Sequence, residues 1–156
     1  MTSRPSMKLH SRQSPGVELT DGFKKGIIAA AKDGLPPVAA RSRFVKPGGE
    51  ITKGVNYVEA PGHSPAHGAI LFNSAGDQFL YLASVTHNPV TSPQHPEWHP
   101  VFDYDPDLAT KTRKSLLDRA ATDRPRAMGY HFPFPAVGHV VKQQRAFHWE
   151  PIQWTW

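Results

Sequence analysis

Nine histidines and no cysteine in a chain of 156 residues leave imidazole and carboxylate as the groups for any metal or acid–base chemistry, since neither thiolate ligands nor disulfides are available. Three histidines fall where a sheet could hold them. His63 and His67 bracket Ser64-Pro65-Ala66 in a loop between two apolar runs, and His131 opens the turn His131-Phe132-Pro133-Phe134-Pro135 behind another. Imidazoles fixed at the C-terminal ends of neighbouring strands suit zinc or iron, because the sheet sets their separation. His87 ends a further run, Leu82-Ala83-Ser84-Val85-Thr86-His87.

Other constellations are weaker. His95 and His99 are spaced i, i+4, which aligns side chains only on a helix, and Pro96 and Pro100 oppose one. Ser84, His87 and Asp103 offer the residue types of a hydrolytic triad without the G-x-S-x-G turn that exposes such a nucleophile. No residue is singled out as a catalytic group. The bland reading of His63 and His131 is that of loop residues bonded to backbone.

The elements that must position these groups can be read from pattern. Residues 1–16 are polar, basic and aperiodic, and read as a flexible leader to a domain over 17–156. Thr20 or Asp21 can cap a helix carrying Phe23, Ile27, Ile28 and Ala31 at helical spacing, closed by Gly34 and Pro36-Pro37. Strands are expected at Arg43–Lys46 and Gly54–Glu59, then a hairpin from Ala69–Phe72 and Gln78–Leu82 around Asn73-Ser74-Ala75-Gly76-Asp77. Residues 86–106 read as a long ordered loop of the kind that is often functional. A second helix is expected over Asp107–Asp123, with Leu108, Thr112, Leu116 and Ala120 on one side and Lys111, Arg113 and Lys114 on another. Three strands follow, at Arg126–Tyr130, Gly138–Lys142 and Phe147–Ile152. Trp149, Trp154 and Trp156 read as edge-strand or interface residues.

Composition bounds the rest. One domain is expected at this length, and 16 Pro with 12 Gly favour turns over a helical bundle. The formal charge of +5 is scattered among acidic residues, without the basic and aromatic stripe of a nucleic-acid interface. No apolar run approaches the roughly 20 residues that span a bilayer, and the leader lacks the apolar core of a secretory signal. The chain reads as soluble and cytoplasmic, with no nucleic-acid partner, no membrane and no organic cofactor.

The segment Ala60-Pro61-Gly62-His63-Ser64-Pro65-Ala66-His67-Gly68 resembles the A-P-G-H-T-P-G-H motif of the metallo-β-lactamase superfamily. Downstream, Leu82–His87 stands where that family has G-D-x-x-H, and Gly129–Val140 resembles its terminal histidine segment. The combination is most like the branch of methyl parathion hydrolase and related lactonases. The match runs from about Leu19 to Pro151. It implies an α/β (α+β) fold, the C-terminal half of an αββα sandwich, with a mixed and mostly antiparallel sheet and two main helices. It also implies that His63 and His131 are metal ligands for zinc or another divalent cation, while His67, Ser84 and His87 are neighbours or substitute ligands.

Two departures stand against the family pattern. The H-x-H-x-D-H motif that supplies most ligands is absent, and the bridging aspartate falls on Ser84, with Ala83 for the preceding glycine. A hydroxyl is a poor replacement for a carboxylate between two cations. A lone half would also leave the face bearing Ile70, Phe72, Phe79 and Tyr81 without cover, which implies a homodimer or a complementary chain. The resemblance thus implies a metal-dependent hydrolase of small ester, lactone or phosphotriester substrates in truncated or degenerate form. The alternative is a non-catalytic scaffold or interaction module.

Overall fold

The computed structural model describes residues 21–153. The leader expected over 1–16, the Thr20 cap, Trp154 and Trp156 lie outside them. Four helices, α1 (Asp21–Gly34), α2 (Pro36–Ala39), α3 (Thr91–Gln94) and α4 (Pro106–Asp123), accompany seven strands. The strands are β1 (Glu50–Thr52), β2 (Val55–Glu59), β3 (Gly68–Ser74), β4 (Asp77–Ala83), β5 (Arg126–Gly129), β6 (Val137–Gln143) and β7 (Ala146–Pro151). All seven form one sheet in sequential order. Neighbours are antiparallel except β4 and β5, which are parallel. A parallel pair cannot be joined by a tight turn, so the chain crosses over between them through α3 and α4.

Alternation along the strands decides which face is covered. Ala69 and Leu71 of β3, Leu80 and Leu82 of β4, Ala127 of β5, Val140 of β6 and Phe147 and Trp149 of β7 are buried with Leu116, Leu117 and Ala120 of α4. Trp149 is the edge-strand residue expected, packed against Phe132 with ring centres 4.8 Å apart. The opposite face lacks such cover among the described residues. Ile70, Phe79 and Tyr81 are half-buried, and Phe72 is exposed. Among the described residues, the hairpin strands are therefore covered on one face. The helix α1 forms where periodicity predicts it, yet Ile27 and Ile28 stay exposed and do not join the core.

Two expectations are corrected. Arg43–Lys46 is not a strand, and Phe44 is 99% exposed; the first strand starts at Glu50, beyond Pro47-Gly48-Gly49, where a partner, β2, is available. The inward stripe of α4 is Ala109, Arg113, Leu116, Leu117 and Ala120 rather than one through Leu108 and Thr112. Arg113 was expected on a side shared with Lys111 and Lys114, away from that of Leu116 and Ala120. It is instead only 2% exposed, because its guanidinium meets acceptors that the loop before α4 cannot otherwise satisfy. Nε donates to the Val85 carbonyl at 2.8 Å, and Nη1 donates to those of Pro96 at 3.0 Å and Trp98 at 2.6 Å. The long loop is thus fastened to α4 from inside, with α3 as its one helical turn.

The start of α4 is set by Asp105, whose side chain accepts from the Leu108 amide at 3.0 Å, with Pro106 in the first turn. At the end of β4 the register shifts against β5, and Ala83 takes a left-handed φ of 49°. Such a bulge turns the following residue off the sheet.

Replacing Arg113 by Met should cost about 3–5 kcal/mol in urea unfolding, because it leaves three buried carbonyls without their donor and the buried carboxylate of Asp103 without its counter-ion; a loss under about 1 kcal/mol would show that the loop is held elsewhere. Ala83→Gly should act the other way, adding about 0.5–1 kcal/mol by relieving the left-handed backbone, read as a higher urea midpoint at unchanged slope.

Candidate metal centre

Strands β2, β4 and β5 run in one direction, so the turns leaving their C-terminal ends emerge on the same edge of the sheet. Those turns carry His63, Ser84 with His87, and His131. The loop after β2 is seated on the start of α4. Gly62 has φ 127°, and a Cβ there would lie 2.2 Å from the Ala109 nitrogen, so no side chain fits. The Asp105 amide donates to the Gly62 carbonyl at 2.9 Å, and Thr112 Oγ1 donates to that of Pro61 at 2.7 Å. From the other side, the Tyr57 hydroxyl donates to the Ala66 and His67 carbonyls, both at 3.1 Å.

The histidines then separate by what their ring nitrogens already do. His67 has both engaged. Nδ1 donates to the Ala60 carbonyl at 3.0 Å, and Nε2 accepts from the Ser84 amide at 3.2 Å. Burial holds its pKa below the usual imidazole value, in keeping with a neutral ring that braces β2 to β4. His63 has one engaged: Nδ1 bonds Asp103 Oδ1 at 2.8 Å, which leaves Nε2. The Asp103 side chain is fully buried, and its second oxygen stands 3.5 Å from Arg113 Nη2. That separation makes an ion pair and is long for a hydrogen bond.

His87 has neither engaged. Both of its ring nitrogens are buried without a hydrogen-bond partner among the described residues. Its pKa is pushed down to about 4, chiefly by burial and then by its neighbours His63 and His131. Its ring centre lies 5.0 Å from that of His63 and 4.8 Å from that of His131, whose plane is tilted only 18° from it. Phe102 meets His63 and His87 edge-on, at 5.9 and 5.5 Å. His131 Nε2 and Ser84 Oγ share a hydrogen bond of 3.1 Å, so the bulge at Ala83 delivers Ser84 to the imidazole across the parallel seam.

The structure therefore brings His63, Ser84, His87 and His131 together and keeps His67 beside them as a brace. His95 is elsewhere, stacked on Trp98 at 4.0 Å, and His99 is exposed. Asp103 and Arg113 were missed as positioning groups. The signal for Asp103 was the pair Asp103 and Asp105 before Pro106: only one can cap α4, which frees the other for a different task.

A divalent cation of the zinc type fits this donor set, being imidazole-rich with a buried carboxylate behind one ring. Among the described residues, ligand atoms of His63, His87 and Asp103 lie within 4.8 Å of one another. The carboxylate expected between two cations is replaced by the Ser84 hydroxyl. An apolar cavity of about 320 Å³ lies along the continuation of the same turns, lined by Val90, Phe132, Phe134, Val137 and Trp149 among others.

No protein-family profile matches the chain, and no curated protein matches it. Solved structures do. One is AidC, a dizinc quorum-quenching lactonase in complex with a product, at 28% identity over 84% of this chain and a TM-score of 0.78. Another is AbOPH, a hydrolase in the β-lactamase superfamily, at 24% identity over 84% of this chain and a TM-score of 0.77. A probable metal-dependent hydrolase from Staphylococcus aureus follows, at 15% identity over 74% of this chain and a TM-score of 0.59. The chain spans 45% of AidC, 46% of AbOPH and 42% of the staphylococcal protein. What it shares with these hydrolases is one half of the metallo-β-lactamase fold.

Proposed function

We propose that the chain supplies one half of a metal-dependent hydrolase centre, acting on small ester, lactone or phosphotriester substrates, with His63 and His131 on the metal. The observation that carries this reading is the buried Asp103 on His63 Nδ1. A carboxylate behind an imidazole fixes its tautomer, orients the ring and makes the other nitrogen a better donor, an arrangement typical of metal-ligating histidines.

A bound cation of the zinc type would supply Lewis acidity toward the substrate oxygen and a water of lowered pKa. The chain's own residues have separate tasks. Asp103 holds the His63 proton on Nδ1, and Arg113 ion-pairs with that carboxylate, 3.5 Å from its second oxygen. Phe102 covers the His63 and His87 rings and limits water around them. Ser84 occupies His131 Nε2, so a cation approaching that nitrogen competes with the hydroxyl. The apolar cavity beyond Phe132 would receive the apolar part of a small substrate.

The open sheet face belongs to the same proposal: a second copy of the chain or a complementary chain covers Ile70, Phe72, Phe79 and Tyr81. A second reading, a non-catalytic scaffold that pairs with another chain, is favoured by one observation, the hydroxyl of Ser84 where a bridging carboxylate is expected. Turnover separates the two readings.

Zinc- or manganese-loaded protein should hydrolyse an activated ester, a lactone or a phosphotriester at a rate that chelation removes and that the His63→Ala, His131→Ala double variant lacks; equal rates in all three samples would leave the scaffold reading. In sedimentation velocity the chain should self-associate as its concentration rises, and Phe72→Lys should weaken this at least tenfold. A wild-type monomer throughout would assign the cover to a different chain.

A further inference from the structure

We propose that His63, His87 and His131 together form a self-contained site for a single zinc-type cation, with His87 as the ligand that stands in for the carboxylate lost at Ser84. The site deepens the hydrolase reading above and rests on it for the roles of His63 and His131, but it requires no turnover.

Ring separation alone does not select His87. Zinc–nitrogen bonds of about 2.0–2.1 Å at tetrahedral angles place two ligating imidazole centres about 5 Å apart. The His63–His87 pair, at 5.0 Å, meets this, but so does His63–His67 at 5.3 Å; the His87 and His131 rings, 4.8 Å apart, lie nearly parallel at 18°, so His131 must turn on its side chain to share a cation with them. Ring nitrogens decide between them. His67 has spent both on Ala60 and Ser84, whereas His87 has spent neither, although both are buried.

Four buried side-chain polar atoms lack a hydrogen-bond partner among the described residues, and His87 alone holds two of them. Each unpaired buried group costs about 1–3 kcal/mol, and such a concentration at one place is what an absent ion leaves behind. His87 is also the imidazole in ring contact with both of the others, so it can link donors that come from two sides of the parallel seam.

Asp103 is the rival third ligand. Its Oδ1 already accepts from His63, and its Oδ2 faces the Arg113 guanidinium. A carboxylate balanced in this way serves better behind a ligand than as one. Three neutral imidazoles and an open position make a set that zinc and cobalt(II) both accept.

The test is metal uptake by the dialysed full chain. Zinc titration followed calorimetrically should give one equivalent, and cobalt(II) should give the visible band of a tetrahedral site. His87→Ala should weaken zinc at least tenfold, as should His63→Ala and His131→Ala separately, while His99→Ala should match wild type. Because a variant can lose its fold, the unaltered chain is also followed by imidazole 15N NMR: zinc should move the signals of His63, His87 and His131 and leave those of His95 and His99 in place. No uptake by the wild-type chain, wild-type affinity in any of the three variants, or an unmoved His87 signal would each overturn the three-histidine site. Unchanged affinity in His87→Ala together with loss in His63→Ala and His131→Ala would overturn it while leaving the hydrolase reading intact. Full uptake without hydrolysis would do the reverse.

Discussion

A buried guanidinium holds this half-sandwich together at its centre. Arg113 projects from the inward face of α4 and binds the Val85, Pro96 and Trp98 carbonyls, with Asp103 ion-paired to it. A buried charge is costly unless its donors are used, and the planar fork of arginine can serve several acceptors at once where lysine presents a compact point charge. The long loop before α4 therefore needs few apolar contacts of its own. By fixing Asp103, the same residue fixes His63, so the loop, the helix and the first imidazole of the centre depend on one side chain.

The centre shows how a sheet edge sorts chemically identical residues. Four histidines lie in a chain of ring contacts, His67 to His63 to His87 to His131, and what separates them is the partner the backbone has placed beside each nitrogen. His67 is consumed by Ala60 and Ser84, His63 is half-consumed by Asp103, His131 is shared with Ser84, and His87 is left uncommitted. The left-handed backbone at Ala83 is part of this sorting, since it brings the Ser84 amide to His67 and the Ser84 hydroxyl to His131.

Most of the fold was legible because alternation and turn chemistry are local. The hairpin of β3 and β4, the helix α4 and the three last strands all appear within a residue or two of their pattern. The strand expected at Arg43–Lys46 failed because an apolar residue in an extended run has no claim on a sheet without a neighbour to bond. Arg113 was misplaced for the opposite reason: a helical wheel assigns cations to solvent, and nothing nearby in sequence reveals that carbonyls from Val85 to Trp98 converge on it. In the centre, the placement of His63 and His131 in turns at one sheet edge was legible from motif. Asp103 was not, since its partner lies forty residues upstream and only the fold brings them together.

The strand order carries a kinetic consequence. Strands β1 to β4 and β5 to β7 are two meanders, each made of neighbours in sequence, and they meet only along the parallel seam of β4 and β5. Within each meander the contacts are local and close quickly, whereas the seam must wait for the whole crossover through α4 to be ordered, at the entropic cost of a long loop. His63 and Ser84 arrive with the first meander, His131 with the second. The constellation therefore comes into existence only at the last docking event, and anything that bridges the two sides would slow their separation rather than hasten their meeting.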